Sequence, residues 1–514
     1  MDHSAQAPFP QPLVEAFRRD PHLPAFEYRG REITREAVLD LICRAANALR
    51  AAGLGPGSPV ALATQVTPQG FAVQIAALLL GCRVTGLRPG LAPAQLHAVL
   101  PDMAAVVADT PSAGPDLLAA AGTVPVLRLG PHVLDTVLPA DAPRTTPDTL
   151  AARGRPDDTA LIHLTSGSTG QPKGCAVTYR SLTRHWSWQP ARWDPGTVRL
   201  AAGYRRFLLF GTLTSAVMFE HLGLCLLDGG TAVIPDLPLE FPQAIERYRP
   251  TALLMTVPRL HHVLDTLRAE AMDTSSLRVL LVAGSPLAPH RLAEACERFG
   301  PVVHHGYGQT ETGMLTLLTP EELAAAPDEL LDSVGRPWAG TELSVRDEQG
   351  RPVPTGSTGE VWARTPGAMS GYWRQEERTR EVLRDGWVRT RDLGHLDQRG
   401  HLRLTGRSRD VIIVNAVVHY AGPIEQALAR HPDVDQAYVV GTPDERTGEA
   451  AHAFVVPSGT RTPDLPALRQ AVAAELGPAA VPATLTVLPE VPVAPGGKPD
   501  KQALLALVPT FRRL

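Results

Sequence analysis

The sequence predicts an α/β fold built on buried parallel sheets, followed by a smaller α+β unit. Helix-patterned segments alternate with short strands through most of the first 400 residues. The strands are apolar on both faces, as strands covered by helices on either side must be. From Asp392 onward the alternation gives way to strands in hairpin-like pairs, which places a boundary near Gly406–Asp410.

The elements follow in order. Residues 36–52 repeat apolar positions at helical spacing and precede a strand at Pro59-Val-Ala-Leu-Ala63. A second helix at 69–81 leads into a strand at Arg83-Val-Thr-Gly86. The Pro/Asp/Ala-rich stretch from Pro139 to Asp158 reads as an exposed connector. Ala160-Leu-Ile-His-Leu164 is a short buried strand. Ala252–Thr256 and Val279–Ala283 are all-apolar or nearly so and flank a helix at 258–270. Pro301–His304 is a further strand. Beyond Asp392 come strands at His401–Thr405 and Val411–Val414, a helix at 423–430, and a strand at Ala437–Val440.

Composition excludes several classes. The chain has 514 residues, enough for two or three domains, and 44% are hydrophobic. A net charge of −4 gives no basic face for nucleic acid. The longest apolar run, Phe71–Leu80, is too short to span a bilayer and contains Gln74. No basic region followed by an apolar one marks a signal peptide at the N-terminus. The five cysteines are dispersed, which argues against disulfides and zinc and for a reducing, cytoplasmic setting.

The strand at 160–164 runs into Thr165-Ser-Gly-Ser-Thr-Gly-Gln-Pro-Lys-Gly174. Glycines let a backbone approach phosphate closely, and successive amides and hydroxyls point at the anion. Pro172 occupies the place where a Walker A loop has glycine. Lys173 is one of only three lysines, with Lys498 and Lys501, among 49 basic residues. Keeping Lys where arginine is otherwise the rule suggests a site that uses a compact ammonium.

The decapeptide resembles the phosphate loop of the adenylate-forming superfamily, which includes acyl-CoA synthetases, nonribosomal peptide synthetase adenylation domains and luciferase. Further segments resemble that family in the same chain order. These are Ala283-Gly-Ser-Pro-Leu-Ala-Pro289, Gly306-Tyr-Gly-Gln-Thr-Glu-Thr-Gly313, Arg389-Thr-Arg-Asp-Leu-Gly394, Gly406-Arg-Ser-Arg-Asp410 and Pro495-Gly-Gly-Lys-Pro-Asp-Lys501.

The resemblance implies a large N-terminal domain, residues 1–406, of doubly wound α/β subdomains plus a small β-barrel-like subdomain. It implies a small mobile α+β domain at 407–514, hinged about Arg409 and carrying a catalytic Lys498. Thr165, Ser166, Gly167, Ser168, Thr169, Gly170 and Lys173 would hold the phosphates of ATP. Gly284, Ser285, His305, Gly306 and Tyr307 would meet the adenine, Asp392 the ribose hydroxyls, and Arg407 would lie near the nucleotide. Thr310 would bond the α-phosphate, and Glu311 would hold Mg²⁺ through oxygen, which suits a hard cation. Gly211, Ala216, Ala283 and Gly308 would line the acyl pocket. Ser285 departs from the common Glu, and Arg409 from the common Asp or Lys.

The implied activity is ATP-dependent conversion of a carboxylic acid to an acyl-AMP with loss of pyrophosphate, then transfer to the thiol of CoA or of a carrier protein in trans. Ala216 falls where amino-acid-activating members keep Asp, which points to an aryl or small acyl acid. Arg205 and Arg206 read as surface charges. Asn415-Ala416 stands where many members have Gly-Gly at the thiol tunnel, and the proline expected soon after is displaced to Pro423. The acceptor is thus left open between a thiol and an amine or other nucleophile, with an ATP-binding homologue lacking the thioester step as a further alternative. A monomer or homodimer is expected, with no membrane partner.

Overall fold

The computed structural model describes residues 6–131, 133–134, 145–165, 173–408, 410–414, 417–459, 461–494 and 497–508. Among these residues the strands form four sheets. The first has eight strands, with Thr159–Thr165, Arg83–Gly86, Pro59–Ala63, Ala105–Asp109 and Val126–Gly130 running parallel through its middle. Antiparallel pairing closes both edges, with Lys173–Thr178 and then Gly371–Tyr372 on one side. The second has nine strands, and its parallel centre contains Val303–Gln309, Val279–Ala283, Ala252–Thr256 and Arg206–Leu208.

The apolar runs explain these positions. Val279–Ala283 pairs on both sides, and its first four residues are buried. The helix Pro68–Leu79 is buried at every position but Gln69 because it packs between the two large sheets. Phe71 on that helix meets Phe26 of the nine-stranded sheet edge-on, with ring centroids 5.1 Å apart. Its start is set by Thr67, whose hydroxyl accepts from the Gly70 amide at 3.0 Å, with Pro68 at the first helical position. No helix among the described residues is long and apolar enough to cross a membrane.

A third sheet, five antiparallel strands between Glu342 and Arg407, follows. The fourth gathers Val411–Val414, Val417–Tyr420, Val434–Asp444, Gly448–Pro457 and Thr484–Val487, with the helices Ala421–Ala429 and Leu465–Leu476 packed into its own core. The expected fold class is therefore present.

Two expectations shift in detail. The antiparallel region begins at Glu342, some fifty residues before the change of pattern at Asp392, which lies in the middle of the strand Trp387–Leu396. The strand expected at Pro301–His304 begins at Val303 and runs through the glycine motif to Gln309.

Candidate active site

The glycine motif forms a hairpin. Val303–Gln309 turns through Thr310–Thr312 into Gly313–Leu318, with a bulge between Tyr307 and Gly308. A Cβ on Gly308 would lie 2.3 Å from the Gly313 carbonyl oxygen, so the hairpin itself excludes a side chain there. Tyr307 and Gln309 share one face of the strand and both reach Asp392. The Tyr307 hydroxyl donates to Oδ2 at 2.6 Å, and Gln309 Nε2 donates to the same oxygen at 2.5 Å. Arg407, paired with Asp392 across the two strands, donates from Nε to Oδ1 at 2.9 Å. Asp392 is only 4% exposed, whereas the Arg407 side chain remains largely open to solvent. Burial and the adjacent Asp392 push the Tyr307 phenol well up.

Glu311 sits in the hairpin turn. Its Oε1 accepts from the Tyr372 hydroxyl at 2.8 Å. The Lys173 ammonium lies 5.6 Å from the centroid of the same tyrosine ring. Tyr372 thus joins the end of the phosphate-loop segment to the acidic turn. Burial, then the Glu311 charge, push its phenol up.

Lys498 arrives from the C-terminal unit on a turn closed by the Ala494 amide donating to the Lys498 carbonyl at 2.8 Å. Gly497 there adopts φ +72°. The turn docks beyond the C-terminal ends of two parallel strands, the usual ligand crevice of such sheets. A Cβ on Gly284 would be 3.8 Å from Lys498 Cε, and one on Gly497 would be 3.4 Å from Thr256. Burial and the neighbouring Arg407 lower the Lys498 pKa, while Glu311 and Asp392 raise it. The four segments carrying Gly284, Glu311, Asp392 and Arg407 therefore converge on one ammonium.

A small cavity of about 30 Å³ opens behind the turn. Thr310, Gly313, Ala216 and His163 line it, together with a buried pair, His185 and Glu220. His185 Nε2 is 3.2 Å from Glu220 Oε1.

Several expected residues stand apart from this cluster. Of the four acyl-pocket positions only Ala216 lines the cavity; Gly308 is required by the hairpin, and a Cβ on Gly211 would meet nothing within 4 Å. His305 is buried with Nδ1 3.2 Å from the Ser333 carbonyl, and burial pushes its pKa down to about 4. Ser285 Oγ is buried without a hydrogen-bond partner among the described residues. Arg205 pairs with Asp228 and Arg206 with Glu27, so both are spent on ion pairs. Residues 166–170, Arg409 and Asn415-Ala416 lie outside the described residues, as does the side chain of Thr165.

Sequence reasoning passed over Tyr372 and the pair His185–Glu220. It named Gln309 and Lys501 only as motif letters. Lys501 Nζ binds Asp410 Oδ2 at 2.7 Å and Glu425 Oε1 at 3.1 Å, tying the segment after Arg409 to the small unit. A signal for Glu220 exists: Glu-His interrupts the otherwise apolar helix Ala216–Leu227.

Two doubly wound sheets, a separate C-terminal unit and a lysine delivered from it to an acid-lined crevice define a nucleotide-using α/β enzyme. The chain belongs to the AMP-binding enzyme family, matching it over residues 13–373 and matching the AMP-binding enzyme C-terminal domain over 423–498. It is 31% identical to the medium/long-chain-fatty-acid–CoA ligase FadD8 of Mycobacterium tuberculosis, across 96% of this chain and 89% of that one. It is 32% identical to a feruloyl-CoA synthase of an Amycolatopsis species, across 87% and 88%. The amide bond synthetase McbA of Marinactinospora thermotolerans superposes with a TM-score of 0.80 at 34% identity, covering 96% of this chain and 99% of that one.

Proposed function

We propose that this enzyme uses ATP to activate a carboxylic acid as its acyl adenylate and then passes the acyl group to the thiol of CoA or of a carrier protein. The carrying observation is the seat of Lys498 beside Gly284, within electrostatic reach of Glu311 and Asp392. A carboxylate oxygen attacks the α-phosphorus, the bond to the bridging oxygen breaks, and pyrophosphate leaves. Two anions must meet, so catalysis is positioning and charge neutralisation. Lys498 is the group that stands between them, and Thr310 donates to the α-phosphate.

Asp392 receives the ribose. Its Oδ2 already accepts two bonds and Oδ1 one, so a ribose hydroxyl takes the remaining acceptor site of Oδ1 beside Arg407. Gly284, Ser285, Gly306 and Tyr307 frame the base, and the loop from Thr165 to Lys173 takes the outer phosphates. Glu311 fits a magnesium ion that enters with ATP, because such an ion needs only one or two carboxylates beside phosphate oxygens and water. Bound there, the ion would neutralise phosphate charge.

Residues 407–514 act as the mobile domain on 1–406. Rotation about Arg409 withdraws Lys498 and opens the adenylate to the acceptor. The likeness to an amide bond synthetase favours a second reading, in which an amine is the acceptor. Pyrophosphate release across a panel of acids, followed by product analysis with CoA or with amines, tests both. Absence of pyrophosphate release with every acid sinks adenylation; thioester without amide, or the reverse, decides the acceptor.

A further inference from the structure

The buried pair behind the Thr310–Gly313 turn is unlike anything the adenylation chemistry itself requires. Glu220 is 6% exposed and His185 5% exposed. The Ser187 amide donates to His185 Nδ1 at 3.3 Å, which makes Nδ1 an acceptor and leaves the ring proton on Nε2. That Nε2–H faces Glu220 Oε1 at 3.2 Å. Glu220 Oε2 is buried and has no partner among the described residues. An unsatisfied buried acceptor costs about 1–3 kcal/mol, more when charged, so such an atom calls for a donor.

The surrounding backbone is shaped to keep this carboxylate at the cavity. Gly313 has φ +71°, and a Cβ there would lie 2.8 Å from Glu220 Oε1. A Cβ on Gly367 would lie 2.5 Å from His185 Cδ2. Gly313 is three residues from Thr310, and both line the cavity with Glu220.

We propose that Glu220, oriented by His185, is a specificity residue that accepts a hydrogen bond from an N–H or O–H at the end of the acid remote from its carboxylate. The inference rests on the adenylation reading above. It assigns the substrate class: heteroaromatic acids with a ring N–H, or phenolic acids.

Matched acids test it without any variant. Indole carboxylic acids are compared with their benzofuran counterparts, and 4-hydroxycinnamic with 4-fluorocinnamic acid, by kcat/KM for pyrophosphate release. The donor acid of at least one pair is expected to lead by about 10- to 100-fold, the range of a hydrogen bond to a buried charged group; which pair responds tells N–H from O–H. In Glu220→Leu the ratio is expected to collapse to near one, with ATP binding and a folded circular dichroism spectrum checked alongside. Equal efficiencies in both pairs, or a donor preference that survives in Glu220→Leu, overturn the assignment while leaving adenylation standing. No pyrophosphate release with any of these acids, while another acid of the panel turns over, overturns the assignment alone; no release with any acid overturns both readings.

Discussion

Arg291 of the large domain and Asp435 of the small one form a buried ion pair across the domain boundary, 1% and 3% exposed. Arg291 Nε donates to Asp435 Oδ1, and its other nitrogens reach Glu294 and Asp265. His261 and His290 close around the same carboxylate at 3.5 Å and 3.7 Å. Burial alone would raise the Asp435 pKa, but the bonds from His290 and Arg291 outweigh it and hold the carboxyl well below its usual range. The pair joins the C-terminal unit to the rest of the chain in the arrangement that seats Lys498 beside Gly284.

Removing one partner should therefore be worse than removing both. Asp435→Leu leaves an unpaired buried guanidinium and is expected to cost about 3–5 kcal/mol. Arg291→Met combined with Asp435→Leu should recover most of that stability. Both variants should release pyrophosphate more slowly than the parent, because the docked orientation is lost. Thermal unfolding and single-turnover pyrophosphate assays separate the two effects. An unpaired variant as stable as the parent would sink the latch.

Acid should weaken the fold through histidines held neutral. Burial pushes His221, His261 and His305 down to about 4 each; at His261, Asp435 and Asp265 pull up while Arg291 and His290 push further down. In the unfolded chain each binds a proton near pH 6.5, so between about 6.5 and 4 the unfolded state holds more protons and stability falls as pH falls. Each contributes up to about 3 kcal/mol to that loss. Denaturant midpoints from pH 7.5 to 5 should decline, and a His261→Gln variant should decline less steeply. A flat profile would contradict the burial of these rings.

Much of this architecture was legible because apolar strands need cover on both faces. Val279–Ala283 and Ala252–Thr256 could hardly be anything else. The third sheet was harder, because Glu342–Arg346 is half-open to solvent and, as an edge strand, pairs on one side only. The site was legible as motifs but not as contacts. Nothing local says that Gln309 shares Asp392 with Tyr307, since the carboxylate comes from a strand of another sheet, 83 residues after Gln309. Glu220 stood out inside an apolar helix, but its partner His185 comes 35 residues earlier on a short 3₁₀ turn.

Tyr372 should tune the acidic turn without carrying the chemistry. Tyr372→Phe deletes the 2.8 Å bond to Glu311 while keeping the ring under Lys173. One hydrogen bond to a charged group is worth about 1.5–3 kcal/mol, so pyrophosphate release should slow by about 10- to 100-fold. The magnesium concentration for half-maximal rate should rise, because Glu311 is less well oriented. A Tyr372→Phe enzyme with unchanged rate and magnesium dependence would show that Glu311 is positioned by other contacts.

Lys498 makes the sharpest claim, since one side chain on one domain is asked to neutralise chemistry on the other. Lys498→Ala should leave the large domain folded and still able to bind ATP, because Asp392, Tyr307 and Glu311 remain. Pyrophosphate release should fall by at least about 10²–10³, the range seen when a single electrostatic group is removed from a transition state. Lys498→Arg should recover little of this, because a planar fork does not replace a compact ammonium packed against Gly284. Transfer from chemically supplied acyl adenylate to the acceptor should be nearly unaffected if, as proposed, rotation about Arg409 withdraws the lysine before that step. Normal adenylation by the Ala variant would remove Lys498 from the mechanism; equal loss of both half-reactions would mean that the substitution damages the fold or the docking rather than the first step.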